Sequence, residues 1–183
     1  TRQFCRGMLG KFGVDVSIVE TGDYAALEAA VTPRTRVLIS ESPTNPYMKV
    51  VDLDRIADIA RRHRLLTIID STFATPANQQ PTAHGIDRVL HSATKYLSGH
   101  GTVMGGLIVD SGKFDWSQGR HSMMTEPDPS YHGLKYWDVF GSFAPFGGVN
   151  IAYIIKARVQ GLRDLGPCIS PFNSWQILQG IET

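Results

Sequence analysis

The sequence lacks several features that mark whole classes of protein. It has only two cysteines, Cys5 and Cys168, which are too few for a disulfide framework or for the ligand spacing of a zinc site. No apolar run approaches the ~20 residues that a membrane-spanning helix needs. The formal net charge is +1, which favours neither nucleic acid nor an anionic membrane as a partner. We therefore expect no metal, nucleic-acid or membrane partner, and the scarcity of cysteine indicates a reduced, cytoplasmic compartment.

The composition is that of a packed globular protein. The chain has 183 residues, of which 42% are hydrophobic and 19% are charged, and this length suits one domain with a sizeable core. It starts at Thr1 without a methionine and stops at Thr183 within a helical pattern. We therefore expect the chain to be part of a longer polypeptide.

Strand and helix patterns alternate along the chain. A helix is predicted over residues 52–63, where Asp52 can cap the first turn and the apolar residues fall near one face. Further helices are predicted after the capping residue Asp23 and over residues 151–166. Short apolar runs predict strands over residues 14–19, 36–40, 65–70, 88–93 and 105–110. This alternation predicts an α/β domain with a mainly parallel sheet and helices on both faces.

Polar residues follow three of the predicted strands, at residues 41–45, 70–72 and 92–95. Ligands of such sheets bind beyond the carboxyl ends of the strands. Taken alone, Asp70 could be a helix cap and Lys95 a solvent-exposed lysine. Taken together, an acid and an amine at neighbouring strand ends match the needs of pyridoxal phosphate, whose aldehyde binds a lysine and whose pyridine nitrogen pairs with an acid.

The residues around Lys95 support the same interpretation. Ser92 and Thr94 alternate with Ala93, so both hydroxyls can point toward one phosphate. The glycines that follow precede a strand and not a helix, which argues against a dinucleotide-binding fingerprint. We expect them to let the backbone pass close to the cofactor or to another chain.

Three motifs in order, ESPTNP (41–46), DSTFATP (70–76) and HSATKYLSGHG (91–101), resemble the cysteine and methionine metabolism family of pyridoxal-phosphate enzymes. This resemblance covers essentially the whole chain and implies the aspartate-aminotransferase fold type. It also implies pyridoxal 5'-phosphate as the cofactor and a role for each matching residue. In those roles, Lys95 binds the aldehyde and moves protons, Asp70 pairs with the pyridine nitrogen, Thr72 and Asn45 border the ring, Ser92 and Thr94 hold the phosphate, and Glu41 contacts the substrate.

Two branches of the family share features with the chain. The segments GHGTVMGG and TEPDPSYHG are similar to O-acetylhomoserine sulfhydrylases, whereas TRQF and DSTFATPANQQP are more like cystathionine γ-synthases. The resemblance implies replacement of the γ-substituent of an O-acylated homoserine by sulfide or a thiol, giving homocysteine or methionine-type products. A cystathionine γ-synthase, a γ-lyase acting on methionine or cystathionine, and a catalytically incompetent fragment are the alternatives.

The resemblance also implies how the chain is organised. Residues 1–165 would be the central part of the cofactor-binding large domain, and residues 166–183 would begin the connection to a smaller C-terminal domain. Family members are about twice as long and contribute a phosphate loop, a ring-stacking aromatic residue and a carboxylate-binding arginine from other segments. They also suggest a homo-oligomer built as a dimer of dimers.

Overall fold

The computed structural model describes residues 2–183, so Thr1 of the TRQF stretch lies outside the described residues. The chain divides into two compact units, residues 1–35 and residues 36–183. The strands are β1 (Val37–Glu41), β2 (Leu66–Asp70), β3 (Arg88–His91) and β4 (Leu107–Asp110). The α-helices described in residues 2–183 are α1 (Arg2–Gly7), α2 (Tyr24–Ala29), α3 (Leu53–His63), α4 (Thr75–Asn78), α5 (Ser122–Thr125), α6 (Tyr136–Phe140), α7 (Ala152–Lys156), α8 (Arg163–Leu165) and α9 (Pro171–Ile181).

The first unit contains the one predicted strand that is wrong. Residues 14–19 form neither a strand nor a helix, and Val14 and Val16 stay exposed. An extended segment becomes a strand only when a neighbour accepts its backbone hydrogen bonds, and residues 2–35 hold no segment that pairs with it. The predicted cap of α2 is confirmed, because the Asp23 carboxylate accepts the Ala26 amide at 2.9 Å.

The second unit is built on a four-stranded sheet in the order β1-β2-β3-β4. Strands β1, β2 and β3 run parallel, and β4 is antiparallel to β3. The mainly parallel sheet is therefore confirmed, with β4 as its antiparallel edge. Strand β3 is two residues shorter than predicted because the backbone enters a turn over residues 93–98.

Helix α3 has the predicted boundaries because its ends are capped. The Asp52 carboxylate accepts the Arg55 amide at 3.1 Å, and Arg64 ends the helix in the left-handed conformation. The apolar face of α3 packs toward β2. Burial of each large aliphatic side chain on this face contributes about 1.5–3 kcal/mol of favourable transfer free energy. The buried residues of this face are Leu53, Ile56, Ala57, Ile59 and Ala60.

A second apolar cluster packs residues of the C-terminal half against the start of β2. Its buried members are Leu66, Phe114, Trp116, Met124, Tyr136 and Ala152. Beside it, the Lys156 ammonium lies 3.1 Å from the Asp128 carboxylate, with both side chains buried. A π-helical segment, Ala157–Leu162, connects α7 to α8, so the helix predicted over residues 151–166 is present but locally widened.

Residues 2–183 contain neither a candidate membrane-spanning helix nor a candidate metal-binding cluster. No helix in this range is long and apolar enough to cross a bilayer. In the same range, no three histidine, cysteine, aspartate or glutamate side chains cluster in a way that would hold a metal ion.

Candidate active site

The carboxyl ends of the three parallel strands meet at one edge of the sheet. Glu41 and Asp70 are directly paired across β1 and β2. The register continues past the strands, since the Ser42 amide donates to the Asp70 carbonyl oxygen at 3.0 Å and the Ser71 amide donates to the Leu90 carbonyl oxygen at 2.9 Å. The polar residues that follow each strand are thereby gathered along one edge.

Thr72 joins the loop after β2 to the end of β3. Its hydroxyl donates to the Asp70 Oδ1 atom at 2.6 Å, and its amide donates to the same oxygen at 3.0 Å. The Thr72 hydroxyl oxygen also accepts the Ser92 amide at 2.8 Å. Within residues 2–183, no group donates a hydrogen bond to the Asp70 Oδ2 atom, so one carboxylate oxygen is free to bind a ligand.

Lys95 lies on the turn that follows β3. The Lys95 amide donates to the Ser92 carbonyl oxygen at 3.1 Å, and the Gly99 amide donates to the Lys95 carbonyl oxygen at 2.9 Å. The Lys95 side chain is exposed, and its ammonium has no ion-pair or hydrogen-bond partner in the described part of the chain. The rings of Phe73 and Tyr96 lie 5.8 Å apart, so the loop that begins at Asp70 contacts the turn that carries Lys95.

The two predicted phosphate hydroxyls differ in their environment. The Thr94 hydroxyl donates to the Gly105 carbonyl oxygen at 3.2 Å and accepts the Gly105 amide at 3.1 Å. The Ser92 hydroxyl is half-buried and makes no hydrogen bond to any residue between 2 and 183. Ser92 is therefore available to a ligand, whereas Thr94 holds together the two ends of the segment 94–105.

Asn45 and Glu41 belong to the loop after β1. The Asn45 amide donates to a Glu41 carboxylate oxygen at 3.2 Å, which orders the start of this loop. The Asn45 side chain is exposed, and Glu41 is half-buried. Both residues lie at the carboxyl edge of the parallel strands, and their roles stay predictions.

His91 is the first residue of the third motif and was not among the predicted site residues. It is the last residue of β3, 4% exposed, and its Nδ1 atom has no hydrogen-bond partner in residues 2–183. Burial lowers the pKa of His91, and the Ser71 backbone and the Asp70 carboxylate partly oppose this shift. A buried imidazole therefore lies beside the Asp70 loop, and its neutral form is favoured by burial.

A cleft of about 540 Å³ opens between the loop after β1 and the segment that contains α4. Pro43, Phe73 and Gln79 are among the residues that line it. None of the seven predicted site residues lines this cleft, so it is adjacent to the strand-end site and separate from it.

The groups without a protein partner fit pyridoxal phosphate. The group carries an aldehyde that binds a primary amine, a phosphate that binds hydroxyls and backbone amides, and a pyridine N–H that binds a carboxylate. Lys95, Ser92 and the Asp70 Oδ2 atom are an amine, a hydroxyl and a carboxylate oxygen of these kinds. None of these three groups has a hydrogen-bond partner within residues 2–183, and the loops that carry them contact one another.

Two curated relatives of the chain are sulfhydrylases. The chain is 51% identical over 173 residues to an O-acetyl-L-homoserine sulfhydrylase of Leptospira meyeri, an alignment that covers 94% of this chain and 39% of that protein. It is 39% identical over 177 residues to O-acetyl-L-homoserine sulfhydrylase 1 of Thermus thermophilus, covering 96% of this chain and 40% of that protein. The chain thus spans about two fifths of the length of these curated relatives.

A solved structure matches the whole chain. It is a putative O-acetylhomoserine (thiol)-lyase of Campylobacter jejuni that carries a pyridoxyl-lysine monophosphate. The match has a TM-score of 0.89 and 33% identity, and it covers 100% of this chain and 43% of that chain. A cystathionine γ-lyase of Lactobacillus plantarum, complexed with L-serine, matches with a TM-score of 0.70 and 34% identity, covering 100% of this chain and 38% of that chain.

The sequence also matches a family profile over residues 1–183, described as Cys/Met metabolism PLP-dependent enzyme. The profile match covers the three motifs, and the structural match covers the sheet edge on which they meet. The chain therefore belongs to the Cys/Met metabolism family of pyridoxal-phosphate-dependent enzymes.

Proposed function

We propose that the protein is a pyridoxal-phosphate-dependent transferase that replaces the γ-substituent of an O-acylated homoserine with sulfide or a thiol. The products would be homocysteine or methionine-type amino acids. Two relatives named O-acetyl-L-homoserine sulfhydrylase, at 51% and 39% identity, support this substrate class. The observation that carries the proposal is that the Lys95 amine has no partner in the described part of the chain. Lys95 lies on a turn that contacts the loop after Asp70, and the Asp70 Oδ2 atom accepts no hydrogen bond from residues 2–183.

The proposed roles follow from the contacts of each residue. Lys95 would bind the aldehyde and, as a free amine, accept a proton at its Nζ atom from the substrate α carbon. The Asp70 Oδ2 atom would accept the pyridine N–H, while Oδ1 stays bonded to Thr72. Ser92 would bind the phosphate through its hydroxyl. When bound, pyridoxal phosphate supplies an electron-accepting ring that stabilises negative charge on substrate carbons.

Thr94, Asn45 and Glu41 have supporting roles in this proposal. Thr94 would hold the phosphate together with Ser92, and it would keep the Lys95 turn closed through its bonds to Gly105. Asn45 would border the ring, and Glu41 would contact the substrate from the adjacent strand end.

The variant Lys95→Ala tests the assignment of the amine. We expect it to lose turnover and to leave no cofactor attached after borohydride reduction, with the unfolding transition preserved. Lys113→Ala, which removes an exposed lysine from the loop after β4, is the matched control and should retain both signals. Full retention of reducible cofactor in Lys95→Ala would contradict the proposal.

A γ-lyase is the second candidate, since the cystathionine γ-lyase match also covers the whole chain. The two activities use the same amine and carboxylate and differ in whether a thiol replaces the leaving group. Incubation of O-acetylhomoserine with sulfide should give homocysteine in the proposed function. Release of thiol and 2-oxo acid from cystathionine or methionine alone, at a higher rate, would favour the lyase.

We also propose the organisation that the resemblance implies. Residues 1–165 would be the central part of the cofactor-binding domain, residues 166–183 would start the connection to a smaller domain, and the protein would act as a cytoplasmic homo-oligomer. Light scattering on the protein with bound cofactor tests the oligomer, for which a tetramer is expected.

A further inference from the structure

Helix α9 packs against the segment that carries Lys95, although 76 to 86 positions separate its residues from that lysine. Three side-chain positions on α9 make the contact: Asn173, Ile177 and Gly180. They are spaced by four and three residues, so they lie on one face of the helix. Residues of the opposite face, such as Trp175, are exposed.

The closest approach is at Gly180. A Cβ atom added there would overlap the Ser98 carbonyl oxygen and lie 2.5 Å from the Ser98 carbonyl carbon. Ser98 ends the turn that holds Lys95, and its amide donates to the Ala93 carbonyl oxygen at 3.0 Å. Only a residue without a Cβ lets the helix backbone approach this turn so closely.

The same face of α9 also contacts the far end of the segment 94–105, at Met104 and Gly105. The Asn173 side-chain amide donates to the Met104 carbonyl oxygen at 2.9 Å. The next residue, Gly105, has the Ile177 Cδ1 atom within 2.5 Å of the position that a Cβ would take. The Gly105 backbone is also hydrogen-bonded to the Thr94 hydroxyl, and Thr94 directly precedes Lys95. Helix α9 is therefore linked to Thr94 through Gly105.

We propose that the face of α9 formed by Asn173, Ile177 and Gly180 positions the Lys95 amine for cofactor attachment. This inference rests on the proposed function, because it assumes that Lys95 binds the aldehyde. The helix holds both Ser98 and Gly105, and a turn held at both ends presents its lysine in one position. Asn173 and Gly180 are thus positioning residues that act through the backbone of residues 93–105.

The test compares Gly180→Ala with Gly161→Ala in the protein with its cofactor. Gly161 lies in the π-helical segment, its φ is not positive, and a Cβ added there meets nothing within 4 Å. We expect Gly180→Ala to raise the exchange rates of the Ser98 and Gly99 amides by about tenfold or more, because these protons are bonded within the displaced turn. Gly161→Ala should exchange like the unmodified protein.

A second readout reports on the lysine itself. The absorbance of lysine-bound cofactor changes with pH, and the midpoint depends on the surroundings of the Lys95 nitrogen. We expect this midpoint to shift in Gly180→Ala and to stay unchanged in Gly161→Ala. A general loss of stability would lower the melting temperature without moving the midpoint, so such a result would overturn the positioning role.

Asn173→Asp is the milder variant, to be used if Gly180→Ala does not fold. It removes the donor to Met104, while a carboxylate in the first turn favours the helix itself. Faster exchange at Ser98 and Gly99 in this variant, together with a shifted midpoint, supports the proposal. Unchanged values in a folded variant overturn it.

The two proposals fail in different ways. If Lys95→Ala keeps its reducible cofactor, the function assigned to Lys95 is wrong, whatever the exchange rates are. If Lys95→Ala loses the cofactor but Gly180→Ala changes neither exchange nor midpoint, the function stands and the role of α9 is wrong.

Discussion

Replacing Thr72 by valine isolates the hydroxyl that links Asp70 to Ser92. Valine keeps the branched shape and removes one bond to a carboxylate and one acceptor for a backbone amide. A hydrogen bond to a charged group contributes about 1.5–3 kcal/mol, and an unpaired buried amide costs about 1–3 kcal/mol. Because Thr72 is half-buried, we take the lower half of each range and expect Thr72→Val to lose about 2.5–4 kcal/mol of unfolding free energy.

Thr72→Ser is the matched control, since it keeps the hydroxyl and loses one methyl group, worth about 1 kcal/mol or less. Urea titrations of both variants give the two free energies on the same scale. The cofactor dissociation constant should also rise in Thr72→Val, because Asp70 and the Ser92 backbone lose their common partner. Equal losses in Thr72→Val and Thr72→Ser would refute the linking role of the hydroxyl.

Two further substitutions test the core and the buried ion pair. Ile69→Ala, at a fully buried position of β2, should cost about 2–5 kcal/mol, while Ile39→Ala on β1, where the side chain is 48% exposed, should cost under about 1 kcal/mol in urea titrations. Lys156→Met should lower the melting temperature more than Lys135→Met, whose exposed ion pair is longer at 3.8 Å. The Ser130 hydroxyl, Lys156 and the Ser130 amide lower the pKa of Asp128 to about 2, so the stabilisation is present above pH ~4 and is lost toward pH 2. Melting temperatures from pH 5 to pH 2 should therefore fall less steeply in Lys156→Met, and an equal slope in both proteins would contradict this account.

Local patterns predicted most of the sheet and the main helix because these signals lie within a few residues of one another. The cap at Asp52 and the apolar face behind it are enough to define α3. The apolar run that ends at Asp70 is likewise enough for β2. Residues 14–19 show the same kind of pattern and form no strand, because pairing depends on a neighbour that a local pattern does not encode.

The site also combines residues that local motifs identify with contacts that depend on distant parts of the chain. The order and spacing of the three motifs identified Asp70, Ser92 and Lys95 as candidates. From the motifs, Thr72 was predicted to border the ring and Thr94 to hold the phosphate. The motifs did not indicate that the two hydroxyls also bond to other parts of the protein. In the structure, Thr72 bonds to a group 20 positions away and Thr94 to one 11 positions away, so their hydroxyls hold loops together.

The amino-acid order alone was sufficient for the family and for the parallel strands, and it predicted the sheet edge at which a ligand would bind. These features depend on short-range periodicity and on motifs that keep their spacing whatever lies around them. The packing of α9 on the Lys95 turn became visible only in the folded molecule. Nothing in the sequence near Gly180 refers to Ser98, because that contact arises from how closely two backbones approach after the helix has docked.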